Sequence, residues 1–235
     1  MSPAADASRP RLSVIVPTWN ECECLPTLAA ALAAQFVAHE WLVVDGGSED
    51  GTAARAECLG ATVVRAPRGR GQQLARGAEL ARGELLLFLH ADASLGAGAL
   101  DALCAAFDDP NLDAAGMHQV IDHPARFYRW VERAADARVR RGWVYGDSAL
   151  CVRRAAYEAA GGFRPVPLFE DLDLSRRLRS RGRITLVREA TVVCSPRRWE
   201  REGRLRRTLK NWILTGLWFS GVAPERLARF YAPHG

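Results

Sequence analysis

Apolar runs and helical stretches alternate along the first part of the chain, up to residue 95. Four runs are almost continuously apolar, as expected of strands in a parallel sheet that helices cover on both faces. These runs are residues 12–17, 41–44, 61–64 and 85–89. The segments between them have helical spacing of apolar residues and are residues 24–38, 49–59 and 72–82. The alternation predicts βαβ units whose right-handed crossovers place helices on both faces of the sheet.

The pattern is less regular beyond residue 110. Residues 153–160 and 171–181 have the spacing of helices, residues 184–187 that of a strand, and residues 204–219 that of a closing amphipathic helix. We therefore expect one α/β domain, Rossmann-like and with a mostly parallel central sheet, at residues 12–222. Residues 1–11 are expected to form a flexible tail and residues 223–235 a second tail.

The composition favours a folded protein of ordinary type. A chain of 235 residues is long enough for one domain with a sizeable core, and 49% hydrophobic with 25% charged residues excludes wholesale disorder. The first residues contain no apolar core of a secretory signal, so we expect a cytoplasmic protein. The cysteines are then expected to be reduced thiols. They are Cys22, Cys24, Cys58, Cys104, Cys151 and Cys194.

The net charge of +5 indicates an anionic partner. Nucleic acid, a phosphorylated substrate and an anionic membrane surface all fit such a charge. The longest apolar run near the C-terminus, residues 212–222, is shorter than the roughly 20 residues that a spanning helix needs. We expect no transmembrane segment, and a protein that is soluble or lies on a membrane surface.

Polar residues follow the predicted strands at the edge where ligands of open parallel sheets bind. The first strand ends in Pro17-Thr18-Trp19-Asn20-Glu21, and the second in Asp45, two glycines and Ser48. The second turn can hold a nucleoside, because its carboxylate can accept hydrogen bonds from a base or ribose and its glycines permit close approach. It can equally be a plain strand-to-helix turn with Ser48 as the N-cap and Asp50 complementing the helix dipole.

Two further strand ends carry charged groups. Arg70 lies where the third predicted helix opens, and there the free amides, the dipole and the guanidinium would favour a diphosphate. A solvated basic loop is the alternative. The fourth strand finishes in His90-Ala91-Asp92, whose spacing can point both polar side chains to one side. One or two carboxylates suffice for a divalent ion on phosphate oxygens. Otherwise His90 is a buried structural histidine and Asp92 an N-cap.

Three acids begin the helix near residue 170, namely Glu170, Asp171 and Asp173. Acids in a first helical turn are common because they complement the dipole. The functional alternative makes one of these carboxylates a general base, which takes the proton from an acceptor hydroxyl.

In order and spacing these motifs resemble those of the family 2 glycosyltransferases of the GT-A fold. The motifs that carry the resemblance are Pro17-x-x-Asn20-Glu21, residues 43–52, Gly69-Arg70-Gly71, Ala81-x-Gly83, His90-x-Asp92, Gly161-Gly162-Phe163 and Glu170-Asp171. Within the family, the chain is similar to the small stand-alone enzymes labelled arsenosugar-biosynthesis glycosyltransferases. That similarity lies in the His-Ala-Asp variant, in Tyr145-Gly146-Asp147 and in the stretch from Ser195 to Trp199.

The resemblance spans residues 12 to about 181, and together with the pattern beyond it predicts a nucleotide-binding half at residues 12–95, an acceptor half at residues 96–203 and a closing helix at residues 204–222. It implies nucleotide contacts at Pro17, Thr18, Asn20, Glu21, Asp45, Gly47 and Ser48. Arg70 is implied to contact the diphosphate, Asp92 with His90 to hold Mg²⁺ or Mn²⁺, and Asp171 to be the catalytic base beside Glu170. Two departures from the family pattern are Gly46 and His90, each in place of a usual acid. The second departure weakens the implied metal site.

The implied reaction moves a sugar from a nucleoside diphosphate such as UDP or GDP to an unknown acceptor hydroxyl, with inversion at the anomeric carbon. A sugar-phosphate nucleotidyltransferase is an alternative, but it usually has a Gly-rich, Lys-containing motif where this chain has Trp19-Asn20-Glu21. A nucleic-acid partner is not expected, because the acids at the strand ends would repel phosphates. A nucleotide-binding protein without activity is the remaining alternative.

The predicted helix at residues 205–219 has Trp212 and Trp218 on or near its apolar side. A basic amphipathic helix can lie in a membrane interface, which would place the protein peripherally at the inner membrane surface. Packing of the tryptophans on the domain core is the alternative. The cations available for headgroups or for the surface around the core are Arg204, Arg206, Arg207 and Lys210.

Overall fold

The computed structural model describes residues 9–231, without the side chain of residue 198. Its strands are β1 (Leu12–Thr18), β2 (His39–Asp45), β3 (Thr62–Arg65), β4 (Leu85–Phe88), β5 (Ala93–Leu95), β6 (Leu112–Ile121), β7 (Leu150–Arg153) and β8 (Arg183–Cys194). Its helices are α1 (Leu25–Ala33), α2 (Thr52–Cys58), α3 (Arg70–Leu80), α4 (Ala99–Ala106), α5 (Arg126–Arg140), α6 (Arg154–Ala159), α7 (Glu170–Arg179), α8 (Arg197–Glu202), α9 (Arg204–Phe219) and α10 (Pro224–Ala228). A 3₁₀ turn occupies Gly146–Ser148.

The strands form one sheet in the order β3-β2-β1-β4-β7-β6-β8-β5. Strands β1 to β4 are parallel to one another, and β6 and β8 run in the same direction. The other two strands, β7 and β5, run against their neighbours. The predicted α/β fold with a mostly parallel sheet is therefore confirmed, and the carboxyl ends of β1 to β4 share one edge.

The apolar strands bury side chains on both faces of the sheet, as their continuous pattern predicts. On β4, Leu85 and Leu87 join the core on one face, whereas Leu86 and Phe88 join the core on the other. Helices α1 and α4 contribute leucines to the first core. Helices α3 and α7 contribute Leu74 and Leu174 to the second.

Several predicted elements differ from the observed ones in extent. The predicted helix at residues 24–38 ends early, because α1 stops at Ala33 and β2 already begins at His39. The predicted strand at residues 184–187 is the first part of β8, which continues to Cys194 after a register shift against β6. The sequence pattern predicted none of β5, α4, β6, α5, β7 and α8.

The C-terminal part forms a third, small core around Leu172, Leu214, Trp218 and Leu227. Helix α9 lies at the predicted place, but its two tryptophans differ: Trp218 is 9% exposed and Trp212 is 55% exposed. Residues 1–8 and 232–235 of the two predicted tails lie outside the described residues. Within the described part of the second tail, Pro224–Ala228 form α10.

One predicted surface cation is not available. Arg207 is 8% exposed, and its guanidinium forms an ion pair with Glu202. It lies in the first turn of α9, and because it is buried its charge needs such a partner. Between residues 9 and 231, no helix combines the length and the apolar composition needed to cross a membrane.

Candidate active site

The loops after β1 and β2 are clamped together by reciprocal hydrogen bonds. The backbone N–H of Asn20 donates to Oγ of Ser48 over 2.9 Å, and the N–H of Glu49 donates to Oδ1 of Asn20 over 3.0 Å. The N–H of Glu21 donates to Oγ1 of Thr52 over 2.9 Å. Asn20 has a φ of 55°, a left-handed conformation that asparagine tolerates better than most residues. The predicted nucleotide contacts Asn20, Glu21 and Ser48 thus lie on one joined surface.

Asp45 shapes the second of these loops. Its Oδ2 accepts hydrogen bonds from the N–H groups of Gly47 and Ser48, and its Oδ1 accepts one from the Ser48 hydroxyl. Thr18 Oγ1 lies 3.5 Å from the same carboxylate. The expectation that Ser48 is an N-cap is wrong, because α2 begins at Thr52 with Gly51 in the cap position. Ser48 instead closes the turn around Asp45.

A cleft of about 410 Å³ opens beside this turn, a size suited to a small ligand. It is lined by Asp45, Gly47, Ser48, Ala53, Arg65, Ala66 and Pro67. Near it, the guanidinium carbon of Arg68 lies 3.3 Å from the centroid of the Trp19 ring. A larger cleft, of about 600 Å³, lies among β2, β3 and α3, and its lining includes Glu40, which pairs with Arg82. None of the loops that follow β1 and β2 lines that larger cleft.

Gln73 is a structural residue of the site that none of the sequence motifs indicated. It is 4% exposed, and its Nε2 donates to the carbonyls of Thr18 and Val44, each over 2.8 Å. These bonds tie the ends of β1 and β2 to α3. A Cβ at Gly46 would lie 3.0 Å from Nε2 of Gln73. The space that a side chain at position 46 needs is therefore taken by Gln73, which accounts for the glycine in place of the usual acid.

Asp92 lies near Cys24, which precedes α1. Burial, a hydrogen bond with Glu21, and the charges of Glu21 and Asp92 raise the pKa of the Cys24 thiol to about 12, while Arg197 opposes the shift. All three charged groups must lie near this thiol to act on it. The segment between β4 and β5 closes on itself, since the N–H of Ala93 donates to the carbonyl of His90 over 3.2 Å. Asp92 and the predicted nucleotide contact Glu21 therefore share one region.

The predicted diphosphate contact and the predicted catalytic acids lie close together. Nε of Arg70, at the start of α3, lies 3.0 Å from Oε1 of Glu170, at the start of α7. The N–H of Gly146 donates to Oδ2 of Asp171 over 2.6 Å. A Cβ at Gly146 would collide with the Arg70 guanidinium and lie 2.8 Å from Nε2 of His90. Arg70, His90 and Asp171 therefore surround Gly146, and Glu170 lies against Arg70.

Burial changes the titration of both acids. It raises the pKa of Glu170 to about 7, against the opposing charge of Arg70 and with a further increase from Asp171. Burial also raises the pKa of Asp171, while Arg70 and the N–H groups of Gly146 and Leu172 oppose the increase. A carboxyl group held away from water near a second acid favours its neutral form.

Backbone conformation sets the direction of these acids. Phe169, which precedes α7, has a φ of 62°, an unusual value for a bulky residue. Its ring lies 6.1 Å from that of Trp218 in α9, so the third core supports the strained residue. Gly71 is needed on the other side, because a Cβ there would collide with the carbonyl of Arg164. Both features bring the start of α7 close to the start of α3.

Residues 13–166, well over half of the chain, match the family model described as Glycosyl transferase family 2. The chain belongs to this family. An uncharacterized protein of Mycobacterium tuberculosis is 27% identical over 218 residues, covering 78% of this chain and 66% of its own. An uncharacterized glycosyltransferase of the same species is 40% identical over 98 residues, covering 41% of this chain and 44% of its own. The chain thus spans less than two thirds of the length of both curated relatives.

Solved structures with the same fold include a mannosyltransferase and a protein that binds UDP. A mannosyltransferase from Pyrobaculum calidifontis, in complex with GDP-Man and Mn²⁺, has a TM-score of 0.69 at 22% identity and covers 93% of this chain and 67% of its own. TarS of S. aureus, in complex with UDP, has a TM-score of 0.65 at 19% identity and covers 79% of this chain and 60% of its own. These likenesses show that this family 2 glycosyltransferase has the GT-A fold.

Two other acids near the site have structural partners. Asp173 is 7% exposed and pairs with Arg177 at 2.8 Å and Arg176 at 3.1 Å. Arg177 also donates to the carbonyls on either side of Gly161 and so holds the turn of the Gly-Gly-Phe motif. Asp147 pairs at 3.1 Å with Arg138.

The residues present fit a metal that is held mainly by its substrate. Among the residues that the structure describes, no group of three or more His, Cys, Asp and Glu side chains could hold a metal ion. Asp92 can still supply the one carboxylate that suffices when phosphates and water complete the shell. Nε2 of His90 is directed to the neighbourhood of Gly146 and Arg70, where a second cation is disfavoured.

Proposed function

We propose that this glycosyltransferase moves a sugar from a nucleoside diphosphate to an acceptor hydroxyl in one displacement, with inversion at the anomeric carbon. The observation that carries the proposal is the meeting of Arg70 with Glu170 and Asp171 beside the loops of β1 and β2. A donor in those loops would present its diphosphate to a cation and its sugar to an acid. The GDP-Man and UDP bound by the two structural neighbours support a nucleotide sugar as the donor.

The nucleoside is proposed to lie in the cleft beside Asp45, Gly47 and Ser48, with Pro17, Thr18, Asn20 and Glu21 forming the adjoining loop. The carboxylate of Asp45 already accepts three hydrogen bonds from its own turn, so the turn is organised before the ligand arrives. A preorganised loop binds more tightly because less order has to be imposed on binding. Arg70 is proposed to contact the diphosphate from the start of α3, where the helix amides also favour anions.

Asp171 is proposed to be the catalytic base, and Glu170 its neighbour that positions Arg70. Asp171 is half-buried and so remains accessible to an acceptor, whereas Glu170 is 6% exposed and lies against the guanidinium. The hydrogen bond from Gly146 fixes the Asp171 carboxylate. The raised pKa strengthens Asp171 as a base, because a proton acceptor works best when its pKa approaches the working pH.

Mg²⁺ or Mn²⁺ is proposed to be held by Asp92. Such an ion would supply positive charge to the departing diphosphate. His90, the second predicted ligand, is proposed to lie beside Arg70 and not to bind the metal. The closer assignment to the arsenosugar-biosynthesis group stays a prediction that rests on residues 90–92, 145–147 and 195–199.

A ligand panel tests the proposal. Thermal shifts should be largest with UDP or GDP and should increase with Mn²⁺, whereas RNA and DNA oligonucleotides should produce none. Incubation with a UDP-sugar or GDP-sugar panel should then release free nucleoside diphosphate from one donor, through slow hydrolysis. Binding without release from any donor would indicate a nucleotide-binding protein without activity. Pyrophosphate release from a nucleoside triphosphate and a sugar 1-phosphate would indicate a nucleotidyltransferase.

A further inference from the structure

Helices α5 and α9 together present an exposed surface that is both apolar and basic. On α9, Leu205, Leu209, Trp212 and Ile213 lie at the i, i+4, i+7 and i+8 positions of one stripe, and each is more than half exposed. On α5, Trp130 is 47% exposed, and its ring lies 5.2 Å from that of Trp212. The stripe therefore continues from one helix to the other. We call these five residues the aromatic stripe.

The exposed charges of these two helices have one sign. Helix α9 contains no acidic residue, and both acids of α5, Glu132 and Asp136, are 5% exposed. Glu132 pairs with Arg129 at 2.7 Å, and Asp136 pairs with His118 at 2.9 Å. The exposed charged residues are all arginines that lie on either side of the stripe. They are Arg126, Arg133, Arg140, Arg204 and Arg206.

We propose that the aromatic stripe and its flanking arginines are a docking surface for an anionic lipid bilayer. The apolar stripe would enter the boundary between headgroups and acyl chains, and the arginines would contact lipid phosphates. Tryptophan suits this boundary because its ring is apolar and its N–H is polar. Trp218 packs in the third core and Arg207 pairs with Glu202 of α8, so α9 is anchored while its other face remains available.

Two other occupants fit the surface less well. A second copy that docks by two-fold symmetry would place the same arginines of both copies close together, and like charges repel. A nucleic acid would match the arginines but would leave the leucine and isoleucine side chains against phosphates. A bilayer matches both features, because its headgroups are anionic and its interior is apolar.

Flotation with vesicles tests the proposal on the full chain. Wild-type protein should float with phosphatidylglycerol-containing vesicles and bind phosphatidylcholine vesicles much more weakly. The variant Trp212→Ser should weaken binding by about tenfold or more, because that ring supplies much of the apolar area that the stripe would bury in the bilayer. The variant Arg206→Glu should weaken it by about fivefold or more, given the contribution of each basic residue near an anionic surface.

Matched controls come from exposed residues elsewhere on the chain. Phe36 is 91% exposed in the segment between α1 and β2, and Arg55 is exposed on α2. Phe36→Ser and Arg55→Glu make the same chemical changes away from the stripe and should leave vesicle binding unchanged. If Trp212→Ser does not fold, Leu205→Ser at a residue that is 76% exposed provides the same test.

Three results would overturn the proposal. The first is wild-type protein that stays unbound with anionic vesicles at low salt. The second is equal vesicle binding by wild type and by both stripe variants. The third is a dimer seen by light scattering that Trp212→Ser dissociates, since the stripe would then be the contact between two copies.

Discussion

Replacement of Asp171 by asparagine separates a catalytic role of this acid from a structural one. The substitution keeps the size of the side chain and removes its ability to accept a proton. If Asp171 takes the proton of the acceptor hydroxyl, turnover should fall about 10²–10⁴-fold, which is the range for a positioned acid or base. Nucleotide affinity should change little, because the proposed nucleotide contacts lie on other elements.

The structure also predicts a small effect of Asp171→Asn on stability. The carboxylate accepts hydrogen bonds from Gly146 at 2.6 Å and Leu172 at 2.7 Å, and asparagine can keep one of them through its single oxygen. Loss of the other costs about 0.5–1.5 kcal/mol. Against this loss, the raised pKa of Asp171 means that its charge is unfavourable in the folded state, so a neutral side chain recovers part of the loss.

The assay measures nucleoside diphosphate affinity, melting temperature and donor hydrolysis or transfer on one preparation. Asp173→Asn is the matched control, because the same change two residues further along α7 removes charge from a buried cluster with arginines. That control should lower the free energy of unfolding by about 3 kcal/mol and should act on turnover only through the folded fraction. A variant Asp171→Asn with wild-type turnover per folded molecule would refute the assignment of the base.

Three other changes test neighbouring contacts. The pKa of Glu170 is raised from 4.5 to about 7, so its contribution to the free energy of unfolding is fully present below pH 4.5 and is lost as the pH rises through 7. The melting temperature of Glu170→Gln should therefore depend less on pH over this window than that of wild type. Parallel curves of melting temperature against pH would contradict the expectation. Gly146→Ala should displace Arg70 and His90 and lower kcat by about 10²-fold in steady-state kinetics, and an unchanged kcat would contradict that role. Asp92→Ala should abolish the Mn²⁺-dependent part of nucleotide affinity in calorimetry while leaving the melting temperature nearly unchanged, and a retained Mn²⁺ effect would exclude Asp92 as the ligand.

The first half of the fold could be predicted because its strands are apolar on both faces. The predicted runs 12–17 and 85–89 differ from β1 and β4 by one residue each. A strand with no polar face has no competing interpretation as a surface helix of the same length. The positions of the strand ends were also predictable, since carboxylates and glycines follow these runs immediately in the sequence.

The second half could not be predicted in the same way. Strand β6, Leu112–Ile121, contains alanines, a glycine, a histidine and a glutamine, so its pattern is weak although most of it is buried. It is buried by neighbours distant in sequence: a Cβ at Gly116 would lie 2.7 Å from a methyl of Val139 in α5. Helix α5 mixes its apolar residues with five arginines, and its buried residues include both of its acids. Such elements are determined by tertiary packing, which local pattern does not contain.

The candidate site shows the same division. The residue types at the strand ends led to the predicted site, whereas Gln73 gave no local signal, because its importance lies in two carbonyls on other elements. Gly46 is visible in the sequence as a departure from the family pattern, but its physical reason, the position of Gln73, is not. The closeness of Arg70 and Glu170, a hundred positions apart, could be inferred from the family resemblance but not from the spacing.

Two adjacent acids at the start of α7 can serve different purposes because they face different partners. Glu170 lies against Arg70, and Asp171 is fixed by the N–H of Gly146. A diphosphate that approached Arg70 would bring negative charge close to Glu170 and raise the pKa of Glu170 further above 7, since like charges disfavour ionisation. Uptake of a proton by Glu170 would then leave the guanidinium to the phosphate. Asp171 is held by a backbone group and does not depend on that ion pair for its position, so the base can keep its place while Arg70 changes partner.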